Sequence, residues 1–179
     1  MLAGNTAYEL PGDFQSIATV SVSSGGAANV EFTSIPATYQ HLQIRAITRE
    51  TNATFPGFSY LQVNNDTGSN YAVHLLSANG SSASVGQATS QSIMYTGPVG
   101  STTSNTFGSM IIDILDYTST SKYKNFRYFT CATNNSSGEM RYGSGLWYSL
   151  NAITSIKLFG NNGNWQQYSH FALYGIKAV

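Results

Sequence analysis

An all-β fold is predicted: two antiparallel sheets packed as a β-sandwich of jelly-roll type, with about ten strands. Three observations predict it. Strand-length runs rich in Val, Ile, Thr, Tyr and Phe recur along the chain, Gly, Ser and Asn punctuate them at short spacing, and no long segment carries a helical period. Two sheets laid face to face bury one side of each, so many short strands in 179 residues imply a sandwich. A chain of this length suits one domain, burying roughly 70% of the surface its unfolded form exposes. The expected division is an N-terminal arm over 1–13 and a single sandwich domain over 14–179.

Taken in order, the arm carries Gly4, Pro11 and Gly12 without alternation, and Leu2, Tyr8 and Leu10 are its candidate contact residues. Phe14 to Val22 and Asn29 to Ile35 read as a first hairpin, because Ser23-Ser24-Gly25-Gly26 between them can supply positive φ angles. Tyr39 to Thr48 is the cleanest strand: Leu42, Ile44 and Ala46 share one face, while His41, Gln43 and Arg45 share the other. Tyr60 to Val63 and Tyr71 to Leu76 flank the turn-forming stretch Asn64 to Asn70 and read as a second hairpin.

Gly80 to Gly86 and Gly97 to Asn105 read as surface loops bracketing a strand at Thr89 to Thr96. Phe107 to Tyr117 is the most apolar run, with Met110, Ile112 and Ile114 on one face and Ile111 and Leu115 on the other. It is expected to be central and covered on both sides. Asn125 to Thr133, Glu139 to Leu150 and Ala152 to Phe159 follow at short spacing. The closing run through His170, Phe171 and Leu173 to Val179 alternates like a strand of the core sheet rather than a frayed tail.

Composition narrows the function. Charged residues make up 9% of the chain, eight basic and eight acidic, for a formal net charge of zero. A balanced, sparse charge offers no electrostatic footprint for DNA or RNA, so nucleic acid is not an expected partner. Lys122, Lys124 and Arg127 are the nearest thing to a basic cluster, and Asp113 and Asp116 offset them. Cys131 is the single cysteine, with Phe129 and Ala132 as neighbours, and reads as a small buried hydrophobe. No apolar run approaches the ~20 residues of a membrane span and no signal peptide is recognisable, so no membrane association is expected. Sequons such as Asn52-Ala53-Thr54 then follow from an Asn/Ser/Thr-rich composition.

Residues that could carry chemistry do not form a recognisable constellation. His41, His74 and His170 lie at no metal-ligand spacing, although a two-histidine site bridged across strands stays open. Asp113 with Asp116, or Glu31 with Glu139, could be cast as a carboxylate pair, but a separation of three along a strand puts Asp113 and Asp116 on opposite faces. Asn64 to Asn70 is rich in oxygen ligands yet lacks the spacing of a calcium loop. Gly143-Ser144-Gly145 resembles part of a nucleophile elbow but sits in strand-like sequence. No catalytic residue, cofactor or metal is therefore assigned, and no enzyme activity is expected. Trp147, Tyr148, Trp165 and Tyr168 are the candidate partner-contact or glycan surface, with core packing as the competing use of the same rings.

Several stretches carry a family resemblance. They are Phe14 to Val20, Phe32 to Arg45, Asn65 to Tyr71, Asp113 to Tyr117, Gly145-Leu146-Trp147, Ala152 to Ile156 and the ending Phe171 to Lys177. Together they resemble small structural proteins of tailed bacteriophages, of the kind infecting cyanobacteria and marine bacteria. Similar modules occur as head decoration (cement) proteins and as tail-fibre domains. The resemblance implies a virion part made in the host bacterial cytoplasm. Because the sequence carries one module without a coiled-coil or collagen-like shaft, a capsid cement protein on the outer head surface is the leading expectation. Its partners would be the major capsid protein and further copies of itself, a trimer being favoured over a dimer. The alternative is a tail-fibre or receptor-binding module that recognises host surface glycans.

Overall fold

A computed structural model describes residues 13–101 and 103–177. All of the expected arm except Asp13 lies outside the described residues, and with it Leu2, Tyr8 and Leu10. The rest is all-β: β1 (Phe14–Ser21), β2 (Asn29–Phe32), β3 (His41–Thr48), β4 (Gly57–Val63), β5 (Tyr71–Ala78), β6 (Ala83–Gln91), β7 (Met94–Val99), β8 (Gly108–Leu115), β9 (Lys124–Thr133), β10 (Gly138–Trp147), β11 (Ile156–Gly160) and β12 (His170–Ile176). They form an eight-stranded sheet in the order β1-β12-β3-β8-β9-β10-β5-β6 and a four-stranded sheet in the order β2-β11-β4-β7. Neighbours are antiparallel throughout. The expected β-sandwich is present, but its twelve strands divide eight and four, unlike the eight-stranded jelly roll of two Greek keys.

Neither expected hairpin forms. β1 pairs with β12 in the large sheet while β2 pairs with β11 in the small one, so the Ser23 to Gly26 turn carries the chain between layers. The Asn64 to Asn70 stretch likewise leads from β4 in the small sheet to β5 in the large one. Asn64 and Asn65 adopt left-handed φ angles of 51° and 52° there, and the buried Tyr71 hydroxyl accepts the Val63 amide at 3.0 Å, tying the two layers. A turn-forming composition fixes where a chain bends, while the apolar face that each flanking strand must bury decides which sheet it joins.

A true hairpin, β5–β6, occupies the Gly80 to Gly86 region read as loop. Its turn is closed by the Asn79 carboxamide, which accepts the Ser81 and Ser82 amides at 3.0 and 2.9 Å. The Thr89 to Thr96 run is split, because β6 ends at Gln91 and β7 begins in the other sheet at Met94. β8 is central in the large sheet as expected, but only one of its faces is covered: Met110, Ile112 and Ile114 are buried and Ile111 is exposed.

The core lies between the sheets. Leu42, Ile44, Ile112, Ile114 and Phe126 from the large sheet meet Leu61, Val63, Met94, Ile156 and Leu158 from the small one. Gly143 and Gly145 face inward on β10, where a Cβ would run into the Tyr128 ring and the Met94 sulfur respectively. The Gly143-Ser144-Gly145 triplet is therefore packing space on a strand. β12 sits between β1 and β3 with Phe171 and Leu173 fully buried, as its alternation predicts.

Candidate interaction surface

The end of β10 is built around Trp147, whose ring is buried and whose Nε1 donates to Asp66 Oδ2 at 2.7 Å. Asp66 also accepts Asn70 Nδ2 at 2.9 Å and the Gly68 amide at 2.8 Å. Burial pushes the Asp66 carboxyl up, but these three donors outweigh it and hold the group below its usual range. The oxygen-rich Asn64 to Asn70 segment thus spends its acidic ligand on bracing a tryptophan.

On the other side of Trp147 lies Lys124, opposite it in the β9–β10 register and equally buried. Its ammonium is 5.8 Å from the Trp147 ring and donates to the carbonyls of Lys122 at 3.0 Å and Ser149 at 3.2 Å. Burial lowers its pKa, and the two carbonyls together with the ring face stand in for the lost water. The lysine therefore fixes the segments on either side of the strand end. Immediately outside them, Tyr123 and Tyr148 form a tilted pair with centroids 5.4 Å apart, both about half exposed, and Leu150 is exposed close by in sequence.

The four aromatic candidates do not form one platform. Trp147, 2% exposed, and Trp165, 0% exposed, are core residues and present no ring to a partner, which corrects their reading as surface. Trp165 Nε1 donates to the Leu158 carbonyl at 3.1 Å and its ring meets Phe171 at 5.1 Å, so the indole links the two sheets from inside. Tyr148 and Tyr168 are exposed, but at opposite ends. Tyr168 precedes the start of β12, whereas Tyr148 lies beyond the end where β12 finishes, more than ~20 Å away along the strands. Tyr123, which composition and periodicity did not single out, is the residue that joins Tyr148, because Lys124 opposes Trp147 and sets the preceding and following tyrosines side by side.

The titratable groups are dispersed. Asp113 accepts from Gln43 at 2.7 Å and pairs with Arg127 at 2.8 Å on the outer face of the large sheet. Asp116 pairs with Lys122 at 2.6 Å beyond the end of β8; that hydrogen bond, joined by one from Gln40, holds it below the usual carboxylate range. Glu31 sits on the small sheet opposite Lys157, and Glu139 pairs with Arg141 at 2.6 Å on the large one, so the two glutamates do not converge. His41 and His170 stand at opposite ends of the β3–β12 pair, about 20 Å apart along the strands, which removes the two-histidine arrangement. Cys131 is only half-buried, on the outer face near Ser109, rather than a core residue. Among the described residues, no three His, Cys, Asp or Glu side chains gather in a metal-binding group.

Glu50 is the one strongly perturbed carboxyl. Fully buried, it accepts the Phe58 amide at 3.1 Å through Oε1 and leaves Oε2 without a hydrogen-bond partner. Burial pushes its pKa up to about 7, an effect tempered by the Asn52 side chain and neighbouring backbone amides. Gly57 and Gly160 pack against the carboxyl, closing it off from a substrate-sized space.

No protein-family model, no curated protein and no solved structure matches the chain.

Proposed function

We propose that the chain is a structural protein of a tailed-bacteriophage virion, a cement protein that sits on the outer head surface and clamps adjacent major capsid subunits. The carrying observation is the exposed Tyr123–Tyr148 pair, held over a rigid base of Trp147, Asp66 and Lys124. Aromatic side chains add large contact area with few rotatable bonds, and a braced pair loses little further freedom on docking. The sparse, balanced charge and the resemblance to decoration modules support the same reading. The mechanism is mass action: a partner that binds only the assembled lattice stabilises it by about 2.7 kcal/mol per site at ~100 Kd, repeated over many sites. The test is co-sedimentation with expanded and precursor capsids. Wild type binds expanded capsids, and Tyr148→Ala lowers occupancy at least ~5-fold; equal occupancy by the variant, or no capsid binding by wild type, removes the proposal.

The same pair favours a second reading, a tail-fibre module whose two rings stack on a host surface glycan. Glycan-array binding that is lost in Tyr123→Ala, with no capsid binding, selects it.

A further inference from the structure

The register of the eight-stranded sheet allows its outer face to be read row by row. One row runs across the strands as Arg45, Ile111, Phe129, Tyr142, Leu76 and Val85. Five of these six are apolar or aromatic, and they stand in solvent, Tyr142 at 60% and Val85 at 84% exposure. An antiparallel sheet with one face in water ordinarily alternates apolar-in with polar-out, and here that rule fails along a whole row. The next row, toward the β12 start, reads Ile47, Ser109, Cys131, Met140, Ala78 and Ala83, also uncharged. On the other side lies a polar row whose members satisfy one another: Gln43 and Arg127 on Asp113, and His74 with Gln87 at 3.1 Å. Among the described residues nothing covers the two apolar rows.

We propose that this outer face is a homodimer interface, packed sheet to sheet against a second copy of the chain about a two-fold axis running across the strands between the two apolar rows. Size, shape and charge all favour a second copy as the occupant. Seven inter-strand steps of ~4.8 Å and the two rows of ~7 Å that the axis exchanges give a projected area of roughly 470 Å², and side chains standing on it, with contacts at the rim, bring the accessible area to the ~600 Å² per partner at the lower end of specific interfaces. The two rows are also complementary to each other. A two-fold axis between them seats the first row of one copy on the second row of the other, placing Phe129 over Cys131, Leu76 over Ala78, Ile111 over Ser109 and Val85 over Ala83. At these four positions large side chains meet small ones, while Tyr142 faces the flexible Met140 and Arg45 faces Ile47 at the remaining two, and the contact is isologous. The polar row falls at the rim, and its internal Asp113–Arg127 pair leaves little charge to repel the second copy. The pairing is two-fold and closes on itself, in contrast to the three-fold association suggested by a capsid's local symmetry. It does not depend on the Tyr123–Tyr148 end or on what that end binds.

Light scattering coupled to size exclusion on the full chain tests this. Wild type elutes at twice its 19.3 kDa chain mass, and Phe129→Glu and Tyr142→Glu, which place a carboxylate in the contact, each weaken the dimer at least ~10-fold. Circular dichroism verifies that these exposed-face variants stay folded, and Tyr142→Ala serves as a milder third. Alkylation of Cys131 is slowed in the dimer and restored in the monomeric variants. A wild type that remains monomeric at ~100 µM overturns the proposal, since interfaces of this size hold at µM or tighter; the face is then left to residues 1–12 or to another protein. A dimer that survives both Glu variants with Cys131 freely alkylated also overturns it, and points to edge pairing through β6.

Discussion

The two faces of the eight-stranded sheet are made by the same strands and have opposite fates. On the inner face of β8 and β9, Ile112, Ile114 and Phe126 interdigitate with the four-stranded sheet, and glycines on β10 make room for Tyr128 and Met94. On the outer face of the same two strands, Ile111 and Phe129 are nearly as apolar but rest on a flat pleat with no cavity shaped to receive them. The difference shows that hydrophobicity along a strand does not by itself make a core. A second layer and vacated volume must meet it, and four strands cannot cover eight.

Truncation tests this contrast most strongly. Trp165→Ala removes a fully buried indole between the layers and should cost about 3 to 5 kcal/mol of unfolding free energy, while Phe129→Ala in dilute, monomeric protein should cost under ~1 kcal/mol. Urea denaturation at low concentration reads both, and comparable losses would break the distinction between the faces. Next in size is the buried carboxyl of Glu50. Its folded pKa of about 7 lies above the ordinary 4.5, so folding favours the protonated form. Its contribution is complete below pH 4.5 and is lost as pH rises to about 7, a decline on the order of 3 kcal/mol at ~1.4 kcal/mol per pKa unit. Glu50→Gln should flatten that decline in a pH series of denaturation midpoints; an unchanged slope would show that another group is responsible. The smallest effect belongs to the outer face again: Arg127→Ala breaks a solvent-facing pair with Asp113 and should change stability by less than ~1 kcal/mol. A larger loss in the monomer would mean that the polar row does more than line a rim.

What the sequence disclosed follows from which forces are local. Period-two alternation placed β3 and β12 correctly, because Leu42, Ile44, Phe171 and Leu173 need only a buried face to declare themselves. Pairing order was hidden: β1 lies beside β12, from the far end of the chain, and nothing local in Phe14 to Ser21 specifies that neighbour. The tryptophans misled for a related reason. Trp165 sits among Asn and Gln residues outside any strand, and only the fold turns its ring inward to Phe171 and the Leu158 carbonyl. At the candidate surface Tyr148 was legible as an aromatic, while Tyr123 gains its place from the register between Lys124 and Trp147.

Among the described residues, the ion pairs Lys122–Asp116, Arg127–Asp113 and Arg141–Glu139 all lie within the large sheet or at its ends, and none bridges the layers. Apolar packing holds one layer to the other, together with buried hydrogen bonds such as Tyr71–Val63, Trp165–Leu158 and Thr130–Thr96 and the Arg141 guanidinium over the Phe58 ring. Dissolved electrolyte at concentrations that shorten the Debye length to ~3 Å has little to screen between the layers, and strongly hydrated salts such as sulfate reinforce the burial that holds them together. Brine leaves such a sandwich intact.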